Sequence, residues 1–139
     1  METPSPHPTA GRRLHHVGVA VPSIRDVLPL YERMAGTPGS PIETVESQKV
    51  RVCFVGLVEL LEPTDPSSTV ARFLDRRGPG LHHLAFAVDD LAEELDRLAG
   101  EGVRLIDRVP RPGAFGHRVA FLHPESTGRV LTELVEAAG

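Results

Sequence analysis

The chain has 139 residues, of which 40% are hydrophobic and 24% charged, a balance that fits one globular domain or two fused half-domains. Its net charge of −4 argues against a nucleic-acid partner, which requires a basic face. No apolar run approaches the roughly 20 residues of a membrane helix, and a lone cysteine, Cys53, makes no internal disulfide and suits a reducing, cytoplasmic setting.

In chain order, METPSPHPTAGRR is Pro-rich and polar, and residues 1–12 read as a disordered leader rather than a signal peptide. His15–Val21 is a strand by its β-branched content and its stop at Pro22. Ser23 is placed to cap a helix reaching about Ala35, with Asp26 three residues on as a partial capping box. Pro29 sits awkwardly inside that helix, and Gly36 with Pro38-Gly39 ends it. Val50–Gly56 and Leu57–Glu62 are strands joined by a tight turn. STVARFLDRRG, 68–78, is a short linking helix. Leu81–Val88 is a strand and Asp90–Glu101 a helix. Val103–Val109, His117–Leu122 and Val130–Glu136 are strands. The expectation is an α+β protein of two βαβββ modules, 13–66 and 80–137, joined by a helix within 67–79.

The two halves repeat a phrase. RLHHVGVAVPS at 13–23 matches GLHHLAFAVDD at 80–90, and VELLE at 58–62 matches TELVE at 132–136. Each half opens on His-His and closes on Glu-Leu-x-Glu, which points to a duplicated unit with a pseudo-twofold axis.

Strand alternation sorts these residues by face. His16, Gly18 and Ala20 share one face of the first strand; His83, Ala85 and Ala87 share one face of the second. These small-residue faces leave room for a cavity, so His16 and His83 are expected to point into it. His15 and His82 are expected on the opposite, helix-packed side. Glu59 and Glu133 lie mid-strand among apolar neighbours, where a carboxylate is costly unless paired or bound to a cation. Glu62 and Glu136, at strand ends, are expected to be satisfied by water. His7 and His117 read as surface residues, His123 as a turn residue and Cys53 as core. A single strand histidine is ordinarily structural. Two His…Glu pairs repeated in register suit a divalent first-row metal, and on the residues alone both readings stay open.

The pattern resembles the vicinal oxygen chelate (glyoxalase/bleomycin resistance/dioxygenase) superfamily over about residues 13–137. Within it the chain most resembles the methylmalonyl-CoA epimerases, through GAFGHRVAFLHPESTGRVLTEL at 113–134 and LLEPTDPSSTVARFLDRRGPGLHHLAFAVDDL at 60–91. The resemblance implies a U-shaped mixed sheet around a metal held by His16, Glu59, His83 and Glu133. It implies Glu133 as ligand and acid/base, and an acyl-CoA substrate. It also implies a homodimer and a divalent ion, cobalt or manganese in first place, with zinc or nickel also compatible. The chain departs from the pattern in KVRVCFVG, 49–56, where Val52 stands in the place of a glutamate found in several epimerases; Glu43 and Glu46 are nearby.

Gly113 and Gly116 frame a loop expected to approach substrate closely. Arg72, Arg76, Arg77, Arg108, Arg111 and Arg118 are candidate partners for phosphates. Two other readings are a glyoxalase I-type lactoylglutathione lyase, whose usual D-P-D-G-x-x-x-E-L ending differs from HPESTGRVLTEL, and a non-enzymatic ligand-binding member. Retention of all four candidate ligands argues against the second.

Overall fold

The two strands carrying the repeated phrase meet side by side at the centre of the sheet. The structure is a computed structural model that describes residues 12–138. The leader expected over 1–12 lies, except for Arg12, outside the described residues, as does His7. The strands are β1 (Leu14–Ala20), β2 (Glu43–Val45), β3 (Val50–Val55), β4 (Val58–Pro63), β5 (Gly80–Ala87), β6 (Arg111–Pro112), β7 (Arg118–Leu122) and β8 (Thr132–Glu136). The helices are α1 (Ile24–Ala35), α2 (Thr69–Arg77) and α3 (Leu91–Gly100). The strands form one curled, mixed, eight-stranded sheet in the order β2-β3-β4-β1-β5-β8-β7-β6, an α+β fold of two mirrored halves.

The duplication is visible in the register. β1 runs parallel to β4 with Gly18 beside Glu59, and β5 runs parallel to β8 with Ala85 beside Glu133. On the outer side Phe54 of β3 faces Glu59, and Phe121 of β7 faces Glu133. The halves join through antiparallel β1 and β5.

Alternation along the strands separates two cores. Val19, Cys53 and Leu60 pack with Ile24 of α1 on one face, while the adjacent Ala20, Val52 and Leu61 pack with Val70 of α2 on the other. In the second half Ala120 and Leu134 pack with Leu91 and Leu95 of α3. Ile24, Leu60, Leu91 and Leu95 are fully enclosed, and each contributes about 1.5–3 kcal/mol of burial. Pro29 lies inside α1 without ending it.

Three local expectations are corrected. Ser23 makes no side-chain cap to α1; the Ile24 N–H donates to Glu62 Oε1 at 2.8 Å, and in the second half the Leu91 N–H donates to Glu136 Oε1 at 2.9 Å. Glu62 and Glu136 are therefore helix caps supplied by the last strand of each module, not solvated strand ends. The stretch 103–109 forms no strand. The N–H groups of Ile106 and Asp107 both donate to the Phe121 carbonyl, so the ladder cannot propagate, and only Leu105 bridges to β7. The sheet ends instead on the two-residue β6. No helix among the described residues is long and apolar enough to cross a membrane.

Candidate metal centre

His16 of β1 sits opposite Ala85 of β5, and His83 of β5 sits opposite Gly18 of β1. Each imidazole thus projects over a small residue of the other module. The approach is closest at Gly18, where a Cβ would lie 2.2 Å from Cε1 of His83, so only glycine fits. The two Nε2 atoms come to 3.1 Å of each other. Glu59, one strand outward from Gly18, brings Oε1 to 3.3 Å from His16 Nε2 and 3.4 Å from His83 Nε2. Glu133, one strand outward from Ala85, brings Oε1 to 3.0 and 3.4 Å from the same atoms. The four residues named from the sequence converge on one point, and all four are buried. Phe54 packs edge-on against His16 at 5.2 Å and Phe121 against His83 at 5.6 Å.

The neighbouring histidines are where strand alternation misleads. The β1–β5 ladder skips His15 between the Leu14–Phe86 and His16–Ala85 pairs, and skips His82 between the Gly18–His83 and Val19–Leu81 pairs. Each skipped residue is a β-bulge, which turns two consecutive side chains toward the same side. His15 and His82 therefore lie beside His16 and His83 rather than on the helix-packed face. The Nδ1–Nδ1 separations are 2.7 Å for His15–His16 and 2.9 Å for His82–His83. His82 is also edge-on to Phe73 of α2, and His15 is edge-on to His117 at 5.3 Å. His117 is not a free surface residue: it lines the space beside the cluster, and its Nδ1 accepts from the Ala138 N–H.

The electrostatics are consistent with this pairing. Burial works to lower the pKa of His16 and His83, but Glu133 and Glu59 outweigh it and raise both, His83 to about 9. Burial opposes ionisation of the two glutamates as well, yet the imidazoles hold both below the ordinary carboxylate range, Glu133 at about 2. His15 and His82 are lowered by burial and then by their charged neighbours, His82 to about 4. Each outer histidine is thus neutral, able to accept the Nδ1–H of the inner one and leave the inner Nε2 aimed at the centre.

This donor set fits a divalent cation. Glu133 Oε1 is buried and, although 3.0 Å from His16 Nε2, accepts no hydrogen bond of acceptable geometry. The ligand atoms of His16, Glu59 and His83 lie within 4.8 Å of one another. Two imidazoles and two carboxylates around one unsatisfied oxygen suit a first-row metal, whose binding would displace the protons from the inner histidines.

Access is unequal on the two sides. Beside His16, Glu59 and Glu133 there is a space of only about 10 Å³, bordered by Val52, Gly113 and His117. It is closed by the segment 112–116, which straps across to the first module. The Phe115 N–H donates to Glu43 Oε2 at 2.7 Å, Ser47 Oγ donates to the Pro112 carbonyl, and the Phe115 ring lies 5.7 Å from Phe54. Gly113 is required there because a Cβ would come within 2.8 Å of Val119. Gly116 has φ 76° at the end of the strap and does not border this space. Val52 is buried on the cavity wall, and Glu43, its cross-strand partner, spends its carboxylate on the strap. On the other side His82 and His83 open onto a cavity of 340 Å³ lined also by Gln48, Arg111 and Phe121. His82 and His83 further border a cavity of 850 Å³.

Sequence reasoning placed Gly18 on the cavity face but missed Phe54, Phe121, His15 and His82 as parts of the site. The repeat itself was the available signal: offsets of 67 and 74 relate Phe54 to Phe121 through Glu59 and Glu133.

Comparison with known proteins identifies the fold. The family model of the Glyoxalase/Bleomycin resistance protein/Dioxygenase superfamily matches residues 15–121. The chain is 47% identical to an uncharacterized protein of Bacillus subtilis, over 91% of this chain and 94% of that one. It is 39% identical to the mitochondrial methylmalonyl-CoA epimerase of Dictyostelium discoideum, over 89% of this chain and 78% of the relative. A solved methylmalonyl-CoA epimerase in complex with methylmalonyl-CoA superposes with a TM-score of 0.87 at 33% identity, covering 92% of this chain and 96% of that one.

Proposed function

The chain belongs to the Glyoxalase/Bleomycin resistance protein/Dioxygenase superfamily and, within it, to the methylmalonyl-CoA epimerases, and from that premise we propose that it interconverts (2R)- and (2S)-methylmalonyl-CoA. The observation that carries this reading is Glu133, an ionised carboxylate with an unsatisfied buried oxygen, set between two imidazoles of which one, His83, borders the open 340 Å³ cavity. The reaction removes the proton from the carbon between thioester and carboxylate and returns it on the opposite face.

We assign His16, Glu59, His83 and Glu133 as the ligands of a divalent ion, cobalt or manganese in first place. Bound there, such an ion supplies a Lewis acid that offsets the negative charge arising on the oxygens beside that carbon. The chain's own residues do the rest. Glu133 accepts the α-proton while the C–H electron pair moves toward the thioester oxygen; a water proton delivered to the opposite face, with Glu133 giving its proton back to solvent, completes the epimerisation. Phe54 and Phe121 keep water from the carboxylates they face. The strap carrying Gly113 and Gly116 closes the His16 side and leaves the His82–His83 side for the acyl thioester. Val52 carries no ionisable group, so the proton on the second face travels by a route other than a glutamate at that position. We place the protein in the cytoplasm, consistent with a buried, unpaired Cys53, and propose a homodimer on family resemblance.

The test is deuterium uptake from D2O into each epimer of methylmalonyl-CoA, followed by NMR with metal-stripped and cobalt-loaded protein. Metal-dependent exchange with interconversion is expected, and Glu133→Gln should slow it by about 10²–10⁴-fold. No exchange, together with turnover of a glutathione–methylglyoxal adduct, would replace this reading with the lyase.

A further inference from the structure

Glu133 Oε1 shares its condition with one other buried side-chain atom, Nε of Arg111, which makes no hydrogen bond among the described residues. Arg111 lies in β6 and pairs with Val119 of β7. Its guanidinium carbon is 5.5 Å from the centroid of the Phe121 ring. That ring packs edge-on to His83, and Phe121 faces Glu133 across the ladder. One phenylalanine therefore separates the arginine from two of the four candidate ligands. Asp107 Oδ2 comes to 3.4 Å of Nε without hydrogen-bond geometry. The same oxygen accepts the Phe121 N–H at 2.9 Å. Asp107 thus holds the phenylalanine in place and leaves the arginine donor free. A buried charged donor without an acceptor is costly, and folded proteins keep one where a ligand completes it.

Arg111 borders the 340 Å³ cavity onto which His82 and His83 open, a volume within the range of small-molecule sites. Among the described residues no aspartate or glutamate lines that cavity, and its one lysine, Lys49, already donates to Ser67 Oγ at 2.7 Å. The cavity is cationic, and Arg111 is its uncommitted donor. A guanidinium laid against an aromatic face keeps its planar fork, which matches the two oxygens of a carboxylate. In a malonyl-type thioester the carboxylate is bonded directly to the carbon that loses its proton. We propose that Arg111 takes the free carboxylate of the acyl group and so restricts the centre to thioesters that carry one on that carbon. With the carboxylate fixed at Arg111 and the thioester at the centre, the reacting carbon is held between two anchors, which orients it as well as selects it. This rests on the acyl-CoA reading above and names the residue that chooses the acyl group.

Malonyl-CoA and acetyl-CoA differ only by that carboxylate, and binding of both can be read without turnover. Each is titrated calorimetrically into cobalt-loaded wild type, Arg111→Gln and Arg111→Lys. Wild type should prefer malonyl-CoA, and Arg111→Gln should reduce that preference roughly tenfold or more by weakening malonyl-CoA alone. An unchanged dissociation constant for acetyl-CoA shows that the variant keeps its fold and its hold on the rest of the ligand. Arg111→Lys retains the charge without the fork and should fall between the two. In turnover, KM for methylmalonyl-CoA should rise by a similar factor in Arg111→Gln, while the inhibition constant of propionyl-CoA stays near wild type. The same malonyl-to-acetyl preference in wild type and Arg111→Gln, or equal weakening of both ligands, overturns the proposal; wild-type epimerisation observed alongside leaves the proposed function standing. A wild type that binds neither ester and exchanges no α-proton removes that function and this proposal with it.

Discussion

The two modules build the same half-site and then treat its surroundings differently. Each supplies one inward histidine, one bulged histidine behind it, one carboxylate beside a small residue, one phenylalanine facing that carboxylate and one terminal glutamate capping its own helix. The His16 side of the centre is sealed by the strap from Pro112 to Gly116, down to about 10 Å³, whereas the His83 side opens onto 340 Å³. Duplication accounts for the four converging side chains. Divergence of the connecting segments leaves the two sides of the centre unequally open.

The strongest way to probe the equivalence of the halves is to remove the outer histidines one at a time. His82→Ala and His15→Ala should each weaken metal affinity by about 10–100-fold, because each leaves an inner Nδ1–H without its acceptor. Competition with a chromogenic chelator measures it. A change confined to one of the two would show that one bulge serves packing alone.

The small residues that the imidazoles overlie differ between the halves, and so should their tolerance. Gly18→Ala drives a methyl into the His83 ring and should cost about 1–3 kcal/mol. Ala85→Gly, its counterpart under His16, adds no atom and should cost about 0.5–1 kcal/mol from strand entropy. Urea denaturation of the metal-free protein compares them; equal losses would contradict the close approach at Gly18.

Smaller effects are expected at the caps. Glu62→Ala and Glu136→Ala each free a helix N-terminal N–H and should cost about 0.5–2 kcal/mol, by an amount similar in the two modules. A cost at Glu62 alone would mean that the Asp90 side chain, which accepts from the Glu93 N–H, suffices to cap α3.

The pH profile of the metal-free protein follows from the histidines. The raised pKa of His83 gives stability that is whole below about 6.5, the ordinary imidazole value, and is lost as pH climbs through about 9. The depressed pKa of His82 works in the other direction, removing stability as pH falls from about 6.5 through about 4. The melting temperature without metal should therefore be highest near pH 6.5. Metal loading should flatten the alkaline fall, since the inner histidines are then unprotonated. A metal-free melting temperature that keeps rising toward pH 9 would contradict the raised imidazoles.

What could be read from the sequence was what repeats and what alternates. His16, Glu59, His83 and Glu133 follow from strand periodicity plus the doubled phrase, and the structure brings them together. His15 and His82 did not follow, because a bulge inserts a residue without leaving a mark in the hydrophobic pattern. The caps were hidden for another reason: Glu62 lies 38 residues from Ile24 and Glu136 lies 45 from Leu91, so no local motif announces them. β2 and β6, with three and two residues, are too short for any periodicity to register. The arginines could be counted but not chosen among. Only the fold shows that Arg108 and Arg118 have carboxylate partners, that Arg111 keeps a buried Nε without a hydrogen bond, and that Arg129, passed over in the sequence, stands with Arg72, Arg76 and Arg77.

The central claim is that two modules jointly hold one divalent ion. Titration of the metal-free protein with cobalt(II), followed by visible absorption alongside His16→Ala and His83→Ala, tests it most directly. The account predicts one ion per chain in the wild type and loss of that binding in both variants, since each removes one of the two imidazoles among the four ligands of the same centre. Tight one-to-one binding surviving in either variant, or two independent ions per wild-type chain, would contradict it.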